Sequence, residues 1–206
     1  LTVISAQEGP SVAYTALASP PCFTRGCLIA TPTGPVAVED IRVGDMVDTR
    51  DFGPQTVRWV GVARMPRVVL ADHLKFRPVL IRQNAIGDGQ PNRDILLSRQ
   101  HRVLITDWRA ELLFGEAEIL VPAVKLANDT SIVADQMTGD IEYYHLMCDR
   151  HQIVCSDGLW CESYLPGLAE TGATETQKEL EALFPELALH SGMQVAARVC
   201  ISDKRT

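Results

Sequence analysis

Two short sequence patterns occur twice along the chain, and this duplication constrains the fold more than any other feature. Residues 97–103 match residues 147–153 position by position, fifty residues apart. Residues 38–45 resemble residues 121–128, eighty-three residues apart and in the same order. Because internal repeats indicate repeated structural units, the sequence predicts two related β subdomains, the first carrying an insertion of about thirty residues.

Short apolar stretches separated by turn residues indicate β-strands rather than long helices. The chain contains 14 Gly and 12 Pro, and both residue types interrupt regular elements. We therefore expect a mostly β fold. Strands are predicted at residues 2–5, 12–14, 28–31, 36–38, 56–62, 95–97, 103–106, 119–121, 132–134, 143–148 and 152–155.

The chain divides by its patterning into three segments. Residues 1–21 are predicted to be a flanking arm, residues 22–167 a compact β domain and residues 168–206 a helical extension. In the extension, Thr176 and Glu179 have the spacing of a capping box. The apolar residues that follow have helical spacing, and they are Leu180, Leu183, Phe184 and Leu187. This pattern predicts a short amphipathic helix that covers the sheet.

Composition excludes several classes of partner. The net charge of -7 provides no general attraction for nucleic acid or anionic lipid, which need clustered Lys and Arg. No apolar run approaches the length of a membrane span, and no segment resembles a signal peptide. The six cysteines form no CxxC pair, and we expect reduced thiols. We expect the chain to be monomeric. Because it begins with Leu1, we also expect it to be part of a longer protein.

Cys22 is the candidate nucleophile, because it follows two prolines, Pro20-Pro21, that interrupt regular secondary structure, and precedes a predicted strand. Its thiol could attack the carbonyl of Pro21 and convert that amide into a thioester. Such an N-to-S shift needs a proton for the leaving nitrogen, hydrogen bonds for the oxyanion and a fixed geometry. Ser98 and His101 would supply a hydroxyl and an imidazole from one short segment.

Residues 22–47 resemble the opening block of the Hint superfamily, the self-processing domains of hedgehog proteins and inteins. The matching residues are Cys22-Phe23-Thr24-Arg25-Gly26, Leu28-Ile29-Ala30-Thr31, Gly34, Val38-Glu39-Asp40-Ile41 and Val43-Gly44-Asp45-Met46-Val47. Residues 98–101 are similar to the second block, with Ser98 in place of its Thr. Residues 145–156 resemble a later block, with His151 at the position of its His. The resemblance, of a bacterial hedgehog/intein-like type, covers residues 22–167.

This resemblance implies a horseshoe-like β fold of two pseudo-symmetric halves and a single-turnover reaction in cis. Cys22 would attack the Pro21-Cys22 peptide bond. His101 would protonate the amide nitrogen of that bond, and Ser98 would orient it. The substrate would be the flanking polypeptide itself, with no cofactor and no metal.

The resemblance also implies how the reaction ends. His151 and Asp149 could assist when water or another nucleophile resolves the thioester. Inteins that splice end in His-Asn, whereas residues 162–167 contain no Asn, so we expect cleavage without splicing. The hedgehog sterol-recognising segment has no counterpart here. By resemblance alone, the parent protein would be secreted or exposed at the cell surface.

Three alternatives remain open at this stage. A structural zinc site would use the ligand types found in His145, Cys148, His151, Cys155 and Cys161. The chain could instead be a β-rich binding module without chemistry. A papain-like protease is disfavoured, because that chemistry places its Cys at a helix start, whereas Cys22 enters a predicted strand.

Overall fold

The computed structural model describes residues 2–3, 21–135, 139–165 and 195–201. The described chain is mostly β, as the sequence predicts. Its strands are β1 (Thr2–Val3), β2 (Phe23–Thr24), β3 (Leu28–Ile29), β4 (Val36–Ala37), β5 (Met46–Thr49), β6 (Gly53–Met65), β7 (Val79–Ile81), β8 (Ile95–Leu97), β9 (Arg102–Ile105), β10 (Ile119–Pro122), β11 (Ile132–Val133), β12 (Ile141–Cys148), β13 (Ile153–Ser156), β14 (Leu159–Glu162) and β15 (Val199–Cys200).

Helical structure is short throughout these residues. The α-helices are α1 (Arg67–Asp72) and α2 (Trp108–Phe114), and 3-10 helices occupy Val38–Asp40, Leu74–Phe76 and Ala123–Leu126. The helix expected within 168–206 and the strand expected at 12–14 lie outside the described residues. Among the helices of the described ranges, none is both long and apolar enough to cross a membrane.

The duplicated segments adopt similar local structures. The first pair forms the 3-10 helices at Val38–Asp40 and Ala123–Leu126. Each ends with a backbone hydrogen bond of 3.3 Å between residues three apart, from Ile41 to Val38 and from Ala127 to Val124. In the second pair, a turn that contains a His near its end joins β8 to β9 and β12 to β13. The halves are therefore related in structure as well as in sequence.

The long strands β6 and β12 form the antiparallel ribbon on which the rest of the sheet is built. Their register pairs His145 with Gly61 and Tyr144 with Val62. The first part of β6 also pairs with β5, and β5 pairs with β13, so the ribbon is joined to β13 through β5. A thirteen-residue strand is long for a globular protein, and β6 reaches this length because different strands pair with its two ends.

The two-residue strand β2 lies between β8 and β12. Phe23 pairs with Leu97 of β8 and with Tyr144 of β12. Side chains alternate across a strand, so consecutive residues enter different apolar clusters. Phe23 packs in the larger cluster, and Cys22 packs in a second one with Trp59, Met147 and other buried residues. Continuing both registers by one residue places Cys22 opposite Ser98 and His145.

We predict that Gly61→Ala destabilises the protein. An ideal Cβ at Gly61 would lie 2.6 Å from Cζ2 of Trp59, whose indole ring covers this backbone position. Trp59 is 6% exposed, so its ring has little room to move. Overpacking of this kind costs about 1–3 kcal/mol. The free energy of unfolding, measured by urea denaturation, should fall by this amount.

A double-mutant cycle provides the control. In a Trp59→Leu background the ring is absent, so the additional cost of Gly61→Ala should shrink. An equal cost in both backgrounds would show that the steric conflict with Trp59 is not its cause.

Candidate active site

The peptide bond between Pro21 and Cys22 is held by buried polar side chains on both sides. The amide nitrogen of Cys22 donates a hydrogen bond to Oγ of Ser98 over 3.0 Å. The carbonyl oxygen of Pro21 lies 2.9 Å from Nδ1 of His145. Nε2 of the same imidazole lies 3.4 Å from Sγ of Cys22, whose side chain is fully buried. Two side chains therefore contact the amide nitrogen, the carbonyl oxygen and the adjacent thiol.

Ser98 reaches this position because β8 ends beside β2. The Ser98 amide donates to the carbonyl oxygen of Cys22 over 3.0 Å, so the two residues are joined by both backbone and side chain. His101 follows in the same turn, and its amide donates to the carbonyl of Ser98 over 3.1 Å. The carbonyl oxygen of His101 in turn accepts a hydrogen bond from the amide of Ala123, which fixes the turn to the start of the 3-10 helix Ala123–Leu126.

The His101 ring is fully buried beside Phe23, the residue that follows Cys22. Its centroid lies 4.4 Å from that of Phe23 in an edge-on arrangement. By distance and angle, neither ring nitrogen has a hydrogen-bond partner within the described ranges. Ser98 and His101 therefore both lie beside the start of β2.

His145 is the site residue that the sequence interpretation did not assign to this chemistry. It lies in the middle of β12 and is 2% exposed. The rings of Trp59 and Tyr164 pack beside it, with centroids 6.1 and 5.9 Å from its own. One signal was available in the sequence: His145 is an ionisable residue within the apolar segment 143–148. Its approach to Cys22, however, depends on the strand register, which the sequence does not specify.

Burial sets the protonation of the groups around the bond. Loss of solvent raises the pKa of the Cys22 thiol, and a hydrogen bond with Ser98 offsets only part of this effect. Burial lowers the pKa of His145 to about 4, although the Pro21 carbonyl acts in the opposite direction. The thiol is therefore protonated and the His145 imidazole neutral near pH 7.

His101 has a different electrostatic environment, because a carboxylate is near it. Burial lowers its pKa below the ordinary value of 6.5, while the charge of Glu162 and the carbonyl groups of Cys22 and Glu162 favour the protonated form. The positive charge of Arg102 lowers the pKa of His101, and a charge on His101 in turn lowers the pKa of His145.

Glu162 is a buried carboxylate at the end of β14. Burial alone would raise its pKa, but a hydrogen bond with His151 and the charge of Arg102 outweigh burial, so the pKa is lowered. Oε1 of Glu162 accepts from the Arg102 amide over 2.9 Å, and Oε2 lies 3.2 Å from the Arg102 guanidinium. Glu162 is therefore ionised within the folded domain.

His151 belongs to this carboxylate cluster. Its Nε2 lies 3.3 Å from Oε2 of Glu162, and its Nδ1 accepts a hydrogen bond from the Ala197 amide over 2.9 Å. Because Nδ1 is an acceptor, the ring proton of neutral His151 is on Nε2, facing Glu162. The contacts of His151 thus run to Glu162 and to the segment 195–201.

Asp149 lies at the protein surface. Both of its carboxylate oxygens accept hydrogen bonds of 2.9 Å from Arg58, and its side chain is 60% exposed. The residues considered for zinc are divided among separate environments, since His145 contacts Cys22 while His151 contacts Glu162. Within the described residues, no group of three or more His, Cys, Asp or Glu side chains is arranged to hold a metal ion.

Solved structures of inteins and intein-like domains resemble this chain. The bacterial intein-like domain from Clostridium thermocellum is 14% identical, with a TM-score of 0.37 over 70% of this chain and 98% of that one. The MchDnaB-1 intein is 13% identical, with a TM-score of 0.43 over 68% of this chain and 98% of that one. A comparison with curated protein sequences finds no match.

Family membership follows from the sequence match to a family model. The model of the Hint domain matches residues 21–168, which is well over half of the chain and includes Cys22, Ser98, His101 and His145. The chain therefore belongs to the Hint domain family, whose members are self-processing domains.

Proposed function

We propose that this domain cleaves its own polypeptide at the Pro21-Cys22 bond. The Cys22 thiol attacks the Pro21 carbonyl, an N-to-S acyl shift produces a thioester, and water or another nucleophile resolves it. The observation that carries this proposal is the set of contacts at one peptide bond: Ser98 on its nitrogen, His145 on its oxygen and the Cys22 thiol next to both. Each domain reacts once, so the reaction is single-turnover.

The attack is intramolecular, which removes the cost of bringing the reactants together. The ring that closes contains the Pro21 carbonyl carbon and the N, Cα, Cβ and Sγ atoms of Cys22. Ser98 supports this ring closure, because its hydroxyl and amide hold the nitrogen and the carbonyl of Cys22 in place. Such fixed geometry is worth several orders of magnitude in effective concentration.

His101 supplies the proton that the leaving nitrogen needs. An amine leaves readily only if it is protonated as the bond breaks. Its buried ring and its place in the Ser98 turn support this role, and the Glu162 carboxylate favours the charged ring that can give up a proton. The pKa of His101 is nevertheless lowered by burial, so only part of the population carries this proton near pH 7.

The reaction ends in cleavage rather than splicing. Residues 162–167 contain no Asn that could cyclise and release a second segment. The restricted ring of Pro21 limits motion at the junction, which favours a slow reaction driven by an external thiol. Assistance to the second step by His151 and Asp149 stays a prediction, since their contacts run to Glu162 and Arg58.

We predict that an external thiol cleaves the purified chain at Pro21-Cys22 and that Cys22→Ala does not cleave. Incubation with dithiothreitol should release residues 1–21 and leave a fragment that starts at Cys22, because the thiol intercepts the thioester. Intact-mass analysis over time measures both products. Cys155→Ala, which removes a partly exposed thiol elsewhere, should cleave like the unmodified chain.

The opposite result would favour the binding-module alternative. If neither dithiothreitol nor hydroxylamine cleaves the unmodified chain, and Cys22→Ala is equally stable, the thioester mechanism is wrong.

We also predict that cleavage becomes faster as the pH falls from 8 towards 5. The pKa of His101 lies below its ordinary value of 6.5, so the protonated donor accumulates only as the pH drops through that region. The measurement is the cleavage rate at each pH, with dithiothreitol raised until the rate no longer depends on it. His101→Ala should lower the rate about 10²- to 10⁴-fold, as loss of a general acid does, and its pH profile should be flatter. An unchanged rate in His101→Ala would contradict this role.

A further inference from the structure

His145 makes two contacts that no other described side chain is shown to make together. Nδ1 lies 2.9 Å from the Pro21 carbonyl oxygen, and Nε2 lies 3.4 Å from Sγ of Cys22. A carbonyl oxygen can only accept a hydrogen bond, so Nδ1 must carry the ring proton. Nε2 of the neutral ring then has a free lone pair directed at the thiol. One tautomer thus places a donor on the electrophile and an acceptor on the nucleophile.

We propose that His145 is a catalytic residue of the acyl shift, acting at once as the general base for the Cys22 thiol and as the hydrogen-bond donor to the oxyanion. This inference rests on the function proposed above and adds to it a group that removes a proton. The need for such a group is physical: the thiolate is the nucleophile, and the fully buried thiol of Cys22 does not ionise by itself at neutral pH.

The proton and electron balance is complete with the residues present. Nε2 of His145 takes the thiol proton while Sγ forms a bond to the Pro21 carbonyl carbon and the carbonyl π electrons move to oxygen. The Nδ1 proton then bonds to a full negative charge on that oxygen, and the ring is an imidazolium. The tetrahedral centre collapses, the carbon–nitrogen bond breaks and the nitrogen takes a proton from His101. The net result is a thioester and an amine. His145 has gained the proton of the thiol, and His101 has given its proton to the amine.

The surroundings of His145 hold the ring in this orientation. The rings of Trp59 and Tyr164 pack beside it, and the backbone of its strand is paired with β2 on one side and β6 on the other. Burial also keeps the ring neutral, because it lowers the pKa to about 4. Because the ring is neutral near pH 7, the lone pair on Nε2 is available to accept the thiol proton. Because the ring is buried and fixed, this lone pair faces the thiol rather than water.

The first test compares His145→Gln with the unmodified chain under dithiothreitol. Gln can donate a hydrogen bond to the Pro21 oxygen but cannot take a proton, so we expect thioester formation to slow about 10²- to 10⁴-fold. His73→Gln, a substitution at an exposed histidine outside the site, is the matched control and should cleave at the unmodified rate. Thermal unfolding of each variant reports whether it is folded.

The outcomes separate this inference from the function on which it rests. Cleavage of the unmodified chain together with an equal rate in folded His145→Gln would overturn the role of His145 and leave the acyl shift standing. Absence of Cys22-dependent cleavage in the unmodified chain would overturn the proposed function itself.

A second test does not depend on the stability of a His145 variant. In the uncleavable Cys22→Ala chain, labelled with ¹⁵N, nuclear magnetic resonance reports which nitrogen of His145 carries the proton. We expect Nδ1 to be protonated and Nε2 to be free, and this state should persist until the pH approaches 4. A proton on Nε2 at neutral pH would contradict the inference, because Nδ1 could then not donate to the Pro21 oxygen.

Discussion

The pairing of β2 on both of its sides is the constraint on which the candidate site depends. This strand has only two residues, yet Phe23 pairs with Leu97 of β8 and with Tyr144 of β12. The two pairings leave no freedom of register, because a shift by one residue would exchange the buried faces of Cys22 and Phe23. Residues far apart in the chain therefore meet at the next position along the strand, where Ser98 and His145 contact Cys22.

The same packing that assembles the site also determines its charge. Cys22 and His145 lie among apolar side chains, and burial disfavours the charged form of each. The buried carboxylate of Glu162 lies beyond this apolar cluster, where the Arg102 guanidinium compensates its charge and Nε2 of His151 lies 3.3 Å away. His101 lies between these regimes, since burial lowers its pKa and the Glu162 carboxylate raises it. The proposed acid and base are thus both histidines, but their environments differ in the sign of the neighbouring charge.

Local sequence patterns predict most of the short strands but not how they combine. The strand expected at 95–97 is β8, and the one expected at 119–121 differs from β10 by a single residue. The strand expected at 56–62 is only the middle of β6. The first residues of β6 pair with β5 and its last residues pair with β12, and the local sequence pattern shows neither pairing. The strands β7 and β14 and the helix α2 were not anticipated, since their apolar residues show no clear period of their own.

The site follows the same division. Cys22, Ser98 and His101 belong to two short motifs, so their types and spacing are visible in the sequence. His145 is the first residue of the segment that resembles a later block, but it enters the site through strand register, which depends on long-range pairing. His151 and Asp149 follow β12 in the repeat, but the turn directs Asp149 to Arg58 at the surface and His151 to Glu162. The sequence therefore shows that His151 and Asp149 follow β12. The conformation of the turn after β12 determines which residues each of them contacts.

A segment outside the family match completes the buried charge cluster. The Hint domain match ends at residue 168, yet the Ala197 amide donates to Nδ1 of His151, and β15 pairs in parallel with β10. The neighbouring Arg198 forms ion pairs with Asp51 and Glu118, which fix this segment to the sheet. Because the Ala197 amide occupies Nδ1, His151 presents its Nε2 proton to Glu162. The side of the His151 ring that carries the proton facing Glu162 therefore depends on residues 195–201 as well as on the matched domain.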